Sequence, residues 1–216
     1  MRMRRKPNLT ERLERRSHLL LKEPELLRGR WSEEFEYNEL HIELGCGRGR
    51  FAAETAKASP DVFIAAVEKL SVAIVTALET ADAQKIKNIR FINAPADNLT
   101  EYFADGEAAR IYINFCDPWP GNRHAKRRLT HRRFLELYKQ VLHQNGEVHF
   151  KTDNLQLFDF SLSEFESCGF RLLDVRYDLH KDGTKGIMTE YEQRFHDQGF
   201  TIYSAICAKR VETGET

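Results

Sequence analysis

Three acidic residues in this chain of 216 residues each stand where a carboxylate could hold a ligand. The first is Glu43, in His41-Ile42-Glu43-Leu44-Gly45-Cys46-Gly47-Arg48-Gly49. Glycines at Gly45, Gly47 and Gly49 permit positive φ and let a ligand touch the backbone. A carboxylate beside such a loop repels a pyrophosphate but suits an amino group or a sulfonium. The second is Glu68, which falls 25 residues after Glu43. That offset is near the roughly 20-residue spacing of a carboxylate that accepts bonds from both ribose hydroxyls. The third is Asp117, in Asn114-Phe115-Cys116-Asp117-Pro118-Trp119-Pro120. An Asp can accept N–H bonds from a purine edge, Trp119 can stack on a base or wall its pocket, and two prolines keep the loop ordered at low entropic cost. Beyond Gly121-Asn122, the six residues Arg123–Arg128 include Arg123, Lys126, Arg127 and Arg128 and no acid. Basic charge beside an aromatic and a carboxylate reads as a grip on a phosphate backbone around a base pocket.

Three further stretches belong to the same argument. Thr152-Asp153 follows an apolar-polar run ending at Lys151. Thr189-Glu190-Tyr191-Glu192 has capping-box spacing, enough by itself to start a helix, and would also serve a cleft if that helix start faced one. Asn93-Ala94-Pro95-Ala96-Asp97 stands where an adenine is read. Pro95 has no N–H to donate, so Ala96 or Asp97 must do so; Asp97 could equally cap the next helix. The four cysteines form no C-x-x-C pair, which speaks against both a zinc site and a disulfide framework, and no metal is expected. Cys46 and Cys116 read as small packing residues.

These residues need a scaffold that brings strand ends together, and the hydrophobic pattern supplies one. Strands are expected at Leu40–Leu44, Val62–Val67, Ile89–Ile92, Ala109–Phe115, Glu147–Lys151, Phe170–Tyr177 and Phe200–Ala208. Between them the sequence predicts helices at Arg50–Ala58, Val72–Gln84 (capped by Ser71), Asn98–Ala104, His131–Leu142 (capped by Thr130), Leu155–Ser167 and Glu190–Phe195. Asn145-Gly146 reads as a turn. The alternation is that of βαβ units. The expected fold is therefore α/β: a doubly wound, mostly parallel, seven-stranded Rossmann-like sheet with helices on both faces. The connection Asp178–Gly199 lacks a clear helical crossover, so one edge strand is expected to run antiparallel. In such a sheet ligands bind at the carboxyl ends of the strands, where Glu43, Glu68, Asp117 and Asp153 all fall. A dinucleotide is disfavoured, because G-x-G-x-x-G would need its third glycine at position 50, which is Arg50.

Hydrophobic residues make up 41% of the chain, ordinary for a globular domain, and no apolar run approaches the roughly 18 residues of a membrane span. Formal net charge is zero, so only the distribution of basic residues argues for a polyanion. Residues 1–38 read as a basic arm, carrying Arg2, Arg4, Arg5, Lys6, Arg12, Arg15 and Arg16, and an extension that packs on the main domain. Residues 39–210 form that domain and 211–216 a tail. The basic start lacks an apolar core and contains Glu11 and Glu14, so it resembles neither a secretory nor an organellar signal; a cytoplasmic location is expected.

Acidic-x-G-x-G-x-G resembles the first motif of class I S-adenosylmethionine-dependent methyltransferases. With Glu-Leu-Gly-Cys-Gly-Arg-Gly, Glu68, Asn114 to Leu129, His149 to Asn154 and Met188 to Glu192 taken together, nearly the whole chain resembles the bacterial tRNA (guanine-N7-)-methyltransferases. The resemblance implies transfer of a methyl group from S-adenosyl-L-methionine to N7 of a variable-loop guanine, position 46 of the tRNA. It also implies tRNA as partner and a monomer or homodimer. It implies donor contacts at Glu43, Gly45, Gly47, Glu68, Pro95–Asp97 and Asp117, with Asp117 between donor and target base. Substrate contacts are implied at Trp119, Arg123, Lys126, Arg127, Arg128, Asp153, Thr189, Glu190, Tyr191 and Glu192. Two positions depart from the family's pattern. Gly121 stands where Asp-Pro-Trp-Pro is usually followed by Lys, so that a phosphate contact is lost or taken over by Arg123 or Lys126. Pro95 stands where an acid or amide usually reads the adenine.

Overall fold

The computed structural model describes residues 7–184 and 186–210. Arg2, Arg4, Arg5 and Lys6 of the expected arm, and the tail 211–216, lie outside them. Eight strands form one sheet: β1 (Leu20–Leu21), β2 (Glu39–Leu44), β3 (Val62–Val67), β4 (Ile89–Ile92), β5 (Ala108–Asn114), β6 (Leu142–Thr152), β7 (Phe170–Arg176) and β8 (Tyr203–Lys209). Their spatial order is β1-β4-β3-β2-β5-β6-β8-β7. All pairs are parallel except those of β8, which runs antiparallel between β6 and β7. The doubly wound class is as expected. The added strand is β1, through which the N-terminal extension joins the sheet beside β4. The reversed strand at the far end is the last in sequence, inserted one place in from the edge.

Strand alternation divides the core between the two faces of the sheet. Leu40, Ile42 and Leu44 of β2, with Phe63, Ala65 and Val67 of β3, pack under α5 (Leu99–Tyr102), α6 (Arg132–Val141) and α7 (Leu155–Ser167). Trp31, fully buried, closes this layer from α2 (Trp31–Glu34), stacked on Phe103 at 5.0 Å. On the opposite face Ile64 and Ala66 meet the alanine-rich faces of α3 (Arg50–Ala58) and α4 (Ser71–Ala83). Strands buried on both faces read as continuous apolar runs, which is why β3 and β4 were visible. The same face over β5 and β6 carries Arg110, Tyr112 and Asn114, and Glu147, His149 and Lys151. A short α1 (Leu9–Glu14) is fastened to α4 by Arg12, whose guanidinium makes two bonds to Glu79, at 2.8 and 2.7 Å. Among the described residues no helix is long and apolar enough to cross a membrane.

Four local expectations are corrected. Asn145-Gly146 is not a turn between elements; it lies within β6, where the register to β5 slips between Ala108 and Arg110. A Cβ on Gly146 would meet Leu142 side-chain atoms at 2.8 and 2.9 Å, so the irregular stretch needs glycine. Ser71 does not cap α4; its hydroxyl donates to Asn93 Oδ1 at 2.7 Å. Thr130 does not cap α6; it is fully buried and accepts from Ser161 Oγ, while His131 Nδ1 accepts from Arg133 N–H. The basic run, expected within a loop, winds into a 3₁₀ segment, Asn122–Arg127.

Candidate active site

At the carboxyl end of β2, alternation turns Glu43 away from the face covered by α5–α7. Its side chain is 2% exposed, and Oε1 accepts from Asn114 Nδ2 of β5 at 3.2 Å. Oε2 is buried and has no hydrogen-bond partner among the described residues. Burial raises the Glu43 pKa to about 7, against the pull of the Asn114 bond and of the Ala52 backbone N–H. The loop after β2 runs through Gly45, Gly47 and Gly49 with φ of 77°, 56° and 75°. All three lie in the left-handed region, more than an ordinary turn requires. Gly49 also caps α3, and a Cβ there would meet Ala77 Cβ of α4 at 2.5 Å. Glu68 lies under this loop: its carboxylate accepts from Gly47 N–H at 3.0 Å and from Leu70 N–H at 2.8 Å. Asn93 ties the next strand end in by donating to Glu68 O at 2.8 Å.

The segment after β4 gives less than expected. Pro95 and Ala96 lead into a single 3₁₀ turn, Ala96–Asn98. Asp97 does not cap α5, whose N-cap is Asn98 without a side-chain bond; its carboxylate pairs with Arg133 of α6. Arg132 is likewise committed, its guanidinium bonding both carboxylate oxygens of Glu164 at 3.2 and 2.7 Å.

The loop after β5 is bent at two bulky residues, Phe115 at φ 53° and Trp119 at φ 41°. Such residues are rare in the left-handed region and are held there only by their surroundings. Asp117, between them, is exposed. The basic run does not act as a block. Arg123, Lys126 and Arg127 are exposed, and the Arg127 guanidinium lies 3.5 Å from the centroid of the Trp119 ring. Arg128, expected with them as a substrate contact, is turned inward and only 9% exposed. It donates from Nε to Pro118 O at 3.0 Å and from Nη2 to Trp119 O at 3.1 Å, with its guanidinium 4.3 Å from the Phe160 ring centroid. Gly121 opens the 3₁₀ segment at φ 82°, a conformation in which the family's usual Lys would be strained.

From the far side of the sheet, α8 (Glu190–Asp197) closes on the same rim. Thr189 and Glu192 form the expected capping box, so Glu192 is turned inward and fully buried. There its carboxylate receives Lys151 Nζ at 3.1 Å on each oxygen and lies 3.0 Å from His180 Nε2. Tyr191 faces outward: its hydroxyl donates to Asp153 Oδ2 at 3.1 Å, and its ring lies 5.0 Å from Phe115. Burial pushes the Tyr191 pKa up to about 12, with the Asp153 charge adding to it, so the hydroxyl stays a donor. Arg48 of the glycine loop reaches Glu190 Oε1 at 3.3 Å. Contacts therefore run from Glu43 through Asn114, and from Phe115 through Tyr191 to Asp153, along one rim. Below it a cleft of about 360 Å³ is lined by Phe51, Tyr112, Asn114, His149, Lys151 and Ile187, among others. A larger depression of about 560 Å³, bordered by Glu34, Pro60 and Lys85, lies at the opposite strand ends and holds none of these residues.

Sequence reasoning did not single out Lys151, Asn114 or Phe160. The first two were within reach, because alternation puts Lys151 and Asn114 at the ends of adjacent strands on the face that carries Glu43. Phe160 sits mid-helix and gave no signal. Burial raises the thiol pKa of Cys46 well above its ordinary value and that of Cys116 to about 12, which suits packing residues rather than nucleophiles. Among the described residues no group of three or more His, Cys, Asp or Glu side chains is arranged to hold a metal ion.

Comparison with known proteins agrees with this architecture. The sequence family described as "Putative methyltransferase" matches residues 37–205. The tRNA (guanine-N(7)-)-methyltransferase of Geobacillus kaustophilus (strain HTA426) is 44% identical over 205 residues, 94% of each chain. That of Bacillus cytotoxicus (strain DSM 22905 / CIP 110041 / 391-98 / NVH 391-98) is 44% identical over 214 residues, covering 98% of this chain and 99% of the other. Among solved structures the 16S rRNA methyltransferase KamB superposes with a TM-score of 0.66 at 15% identity, covering 86% of this chain and 92% of that one, a likeness of fold. With 44% identity sustained from end to end and the glycine loop, Asp-Pro-Trp-Pro loop and capping box meeting at one rim, the chain belongs to the bacterial tRNA (guanine-N7-)-methyltransferase family.

Proposed function

We propose that the protein transfers the methyl group of S-adenosyl-L-methionine to N7 of a guanine in tRNA. The observation that carries the reading is the meeting of Glu43, Asn114, Phe115, Tyr191 and Asp153 along one rim, with Asp117 on the loop between them. The residues present fit the donor. Glu43 Oε2 is a buried acceptor that makes no hydrogen bond within normal limits among the described residues, as an amino group requires, and three left-handed glycines leave the backbone open beside it. Glu43, Gly45, Gly47 and Glu68 would hold the donor, Glu68 having lone pairs to spare beyond its two loop N–H bonds. Along Pro95–Asp97 the backbone would read the adenine, since the Asp97 carboxylate is paired with Arg133. When bound, S-adenosylmethionine supplies an electrophilic methyl group on a sulfonium.

Guanine N7 carries an in-plane lone pair and no proton at neutral pH, so no side chain has to act as a base. What the protein must contribute is orientation, and proximity dominates such a reaction. Asp117 would fix the guanine edge and stabilise the positive charge that the purine gains. Trp119 would wall the base. Arg123, Lys126 and Arg127 would hold phosphates, and Asp153, Glu190 and Tyr191 would meet the substrate where α8 begins. Thr189 and Glu192 serve that surface by starting and anchoring the helix.

Incubating the protein with methyl-labelled donor and tRNA, then mapping the labelled atom, tests the reading. Label at guanine N7 is expected. Label on an exocyclic amine, or cofactor binding with no transfer to any tRNA, would overturn it.

A further inference from the structure

Arg128 sits in a run of positive charge, yet it is the one residue of the four Lys/Arg in Arg123–Arg128 that the fold buries. Two of its three guanidinium nitrogens are engaged by the loop. Nε reaches the carbonyls of Pro118 and Trp119 at 3.0 and 3.4 Å, and Nη2 reaches Trp119 O at 3.1 Å. The other face of the guanidinium lies on Phe160 of α7, 4.3 Å from the ring centroid. The carbonyls it holds flank the residue with φ 41°, a left-handed tryptophan that local preference alone would not keep. Its neighbour Arg127 rests on the indole ring of the same tryptophan at 3.5 Å. One arginine thus fixes the backbone of Trp119 and the next covers its side chain.

From this we infer that Arg128 is a positioning residue for methyl transfer: it acts through the Pro118 and Trp119 carbonyls to set Asp117 and Trp119 against the target base, and it does not grip RNA. Only 9% exposed, it spends Nε and Nη2 on loop carbonyls, unlike the exposed Arg123, Lys126 and Arg127. A planar fork bonds two carbonyls and lies flat on a ring, whereas an ammonium can do only part of this, so lysine is not an equivalent here. The inference rests on the proposed role of Asp117.

The test compares Arg128→Lys and Arg128→Met with the wild-type chain and with Asp117→Ala, in steady-state methylation of tRNA. Misplacing the loop should lower kcat by about 10- to 100-fold in both Arg128 variants, with KM for tRNA and the affinity for S-adenosylhomocysteine within about threefold of wild type. Acrylamide quenching of tryptophan fluorescence should rise, because of the chain's two tryptophans Trp31 is sealed in the core and Trp119 is the one that the loop uncovers. Phe160→Leu, which keeps the guanidinium bonds and removes the ring beneath it, should give a smaller kcat loss and serves if Arg128→Met does not fold. The inference is overturned if Arg128→Lys keeps wild-type kcat, or if Arg128→Met raises KM for tRNA while kcat holds, the pattern of a lost phosphate contact. Wild-type turnover in Asp117→Ala would instead sink the reading of Asp117. An inactive Asp117→Ala beside fully active Arg128 variants would sink only the inference.

Discussion

The two sides of the rim are built by different means. On the glycine-loop side the backbone does the shaping: three left-handed glycines, α3 and α4 in alanine-lined contact, and one carboxylate with an unused oxygen. On the Asp117 side side chains hold one another: Arg127 on Trp119, Lys151 on Glu192, Tyr191 on Asp153. A backbone-built cradle can serve any ligand with the right skeleton. The network of side chains joins residues far apart in the chain, and much of it is scaffolding. Several residues that look like substrate contacts by type are spent on internal bonds.

The largest effect should come from the buried node of that network. Glu192 is fully buried against Lys151 and His180, and its removal strands the ammonium. Glu192→Ala should cost ~3–5 kcal/mol, a large share of a typical domain's stability, read from the midpoint of urea unfolding. Lys151→Met in the same chain should recover part of that loss, because the stranded charge then goes too. If the two sides of the rim are separable, folded Glu192→Gln should still bind S-adenosylhomocysteine while tRNA methylation collapses. Equal losses of both would erase the distinction. On the opposite side Gly49→Ala combines a left-handed strain with a collision against Ala77, and should cost ~2–4 kcal/mol with loss of donor binding. Donor binding intact in a destabilised Gly49→Ala would show that the loop's shape is not what the donor needs.

The sheet was legible because its signals are local. β3, β4, α3 and α7 begin and end where apolar runs and breakers put them. What was not legible depends on partners far along the chain. Leu20–Leu21 is too short to announce a strand and exists because β4 offers an open edge. Asp97 has the type and place of a cap, but Arg133 outcompetes the backbone for it. The site showed the same division. Glu43, Glu68 and Asp117 follow from their positions at strand ends. The inward turn of Arg128 does not, since nothing near it in sequence predicts Phe160 across the fold.

A smaller effect separates the two sides by pH. Glu43 titrates at about 7 in the folded chain, and an ammonium pairs only with its ionised form. Donor affinity should therefore fall about tenfold from pH 8 to pH 6, measured by calorimetry, while Glu43→Gln binds weakly at both. The sign reverses for the ligand-free protein. A folded pKa above the ordinary value favours the folded state below about pH 4.5, and the benefit is lost as pH rises through 7. Glu43→Gln should then gain stability relative to wild type at pH 8 and not at pH 4. A pH-independent donor affinity would remove Glu43 from the donor's amino group.

The finest distinction lies within the basic run, between charges that are free and charges that are used. Lys126 is exposed, whereas Arg133 is tied to Asp97. Each phosphate contact adds about one to the slope of log affinity against log salt. Lys126→Ala should lower the slope for tRNA by about one, and Arg133→Ala should leave it nearly unchanged despite removing the same formal charge. The comparison turns on geometry rather than on net charge, because both variants change the total identically. If the two slopes fall together, the run acts as a diffuse field, and the division between gripping and scaffolding arginines does not extend to the RNA.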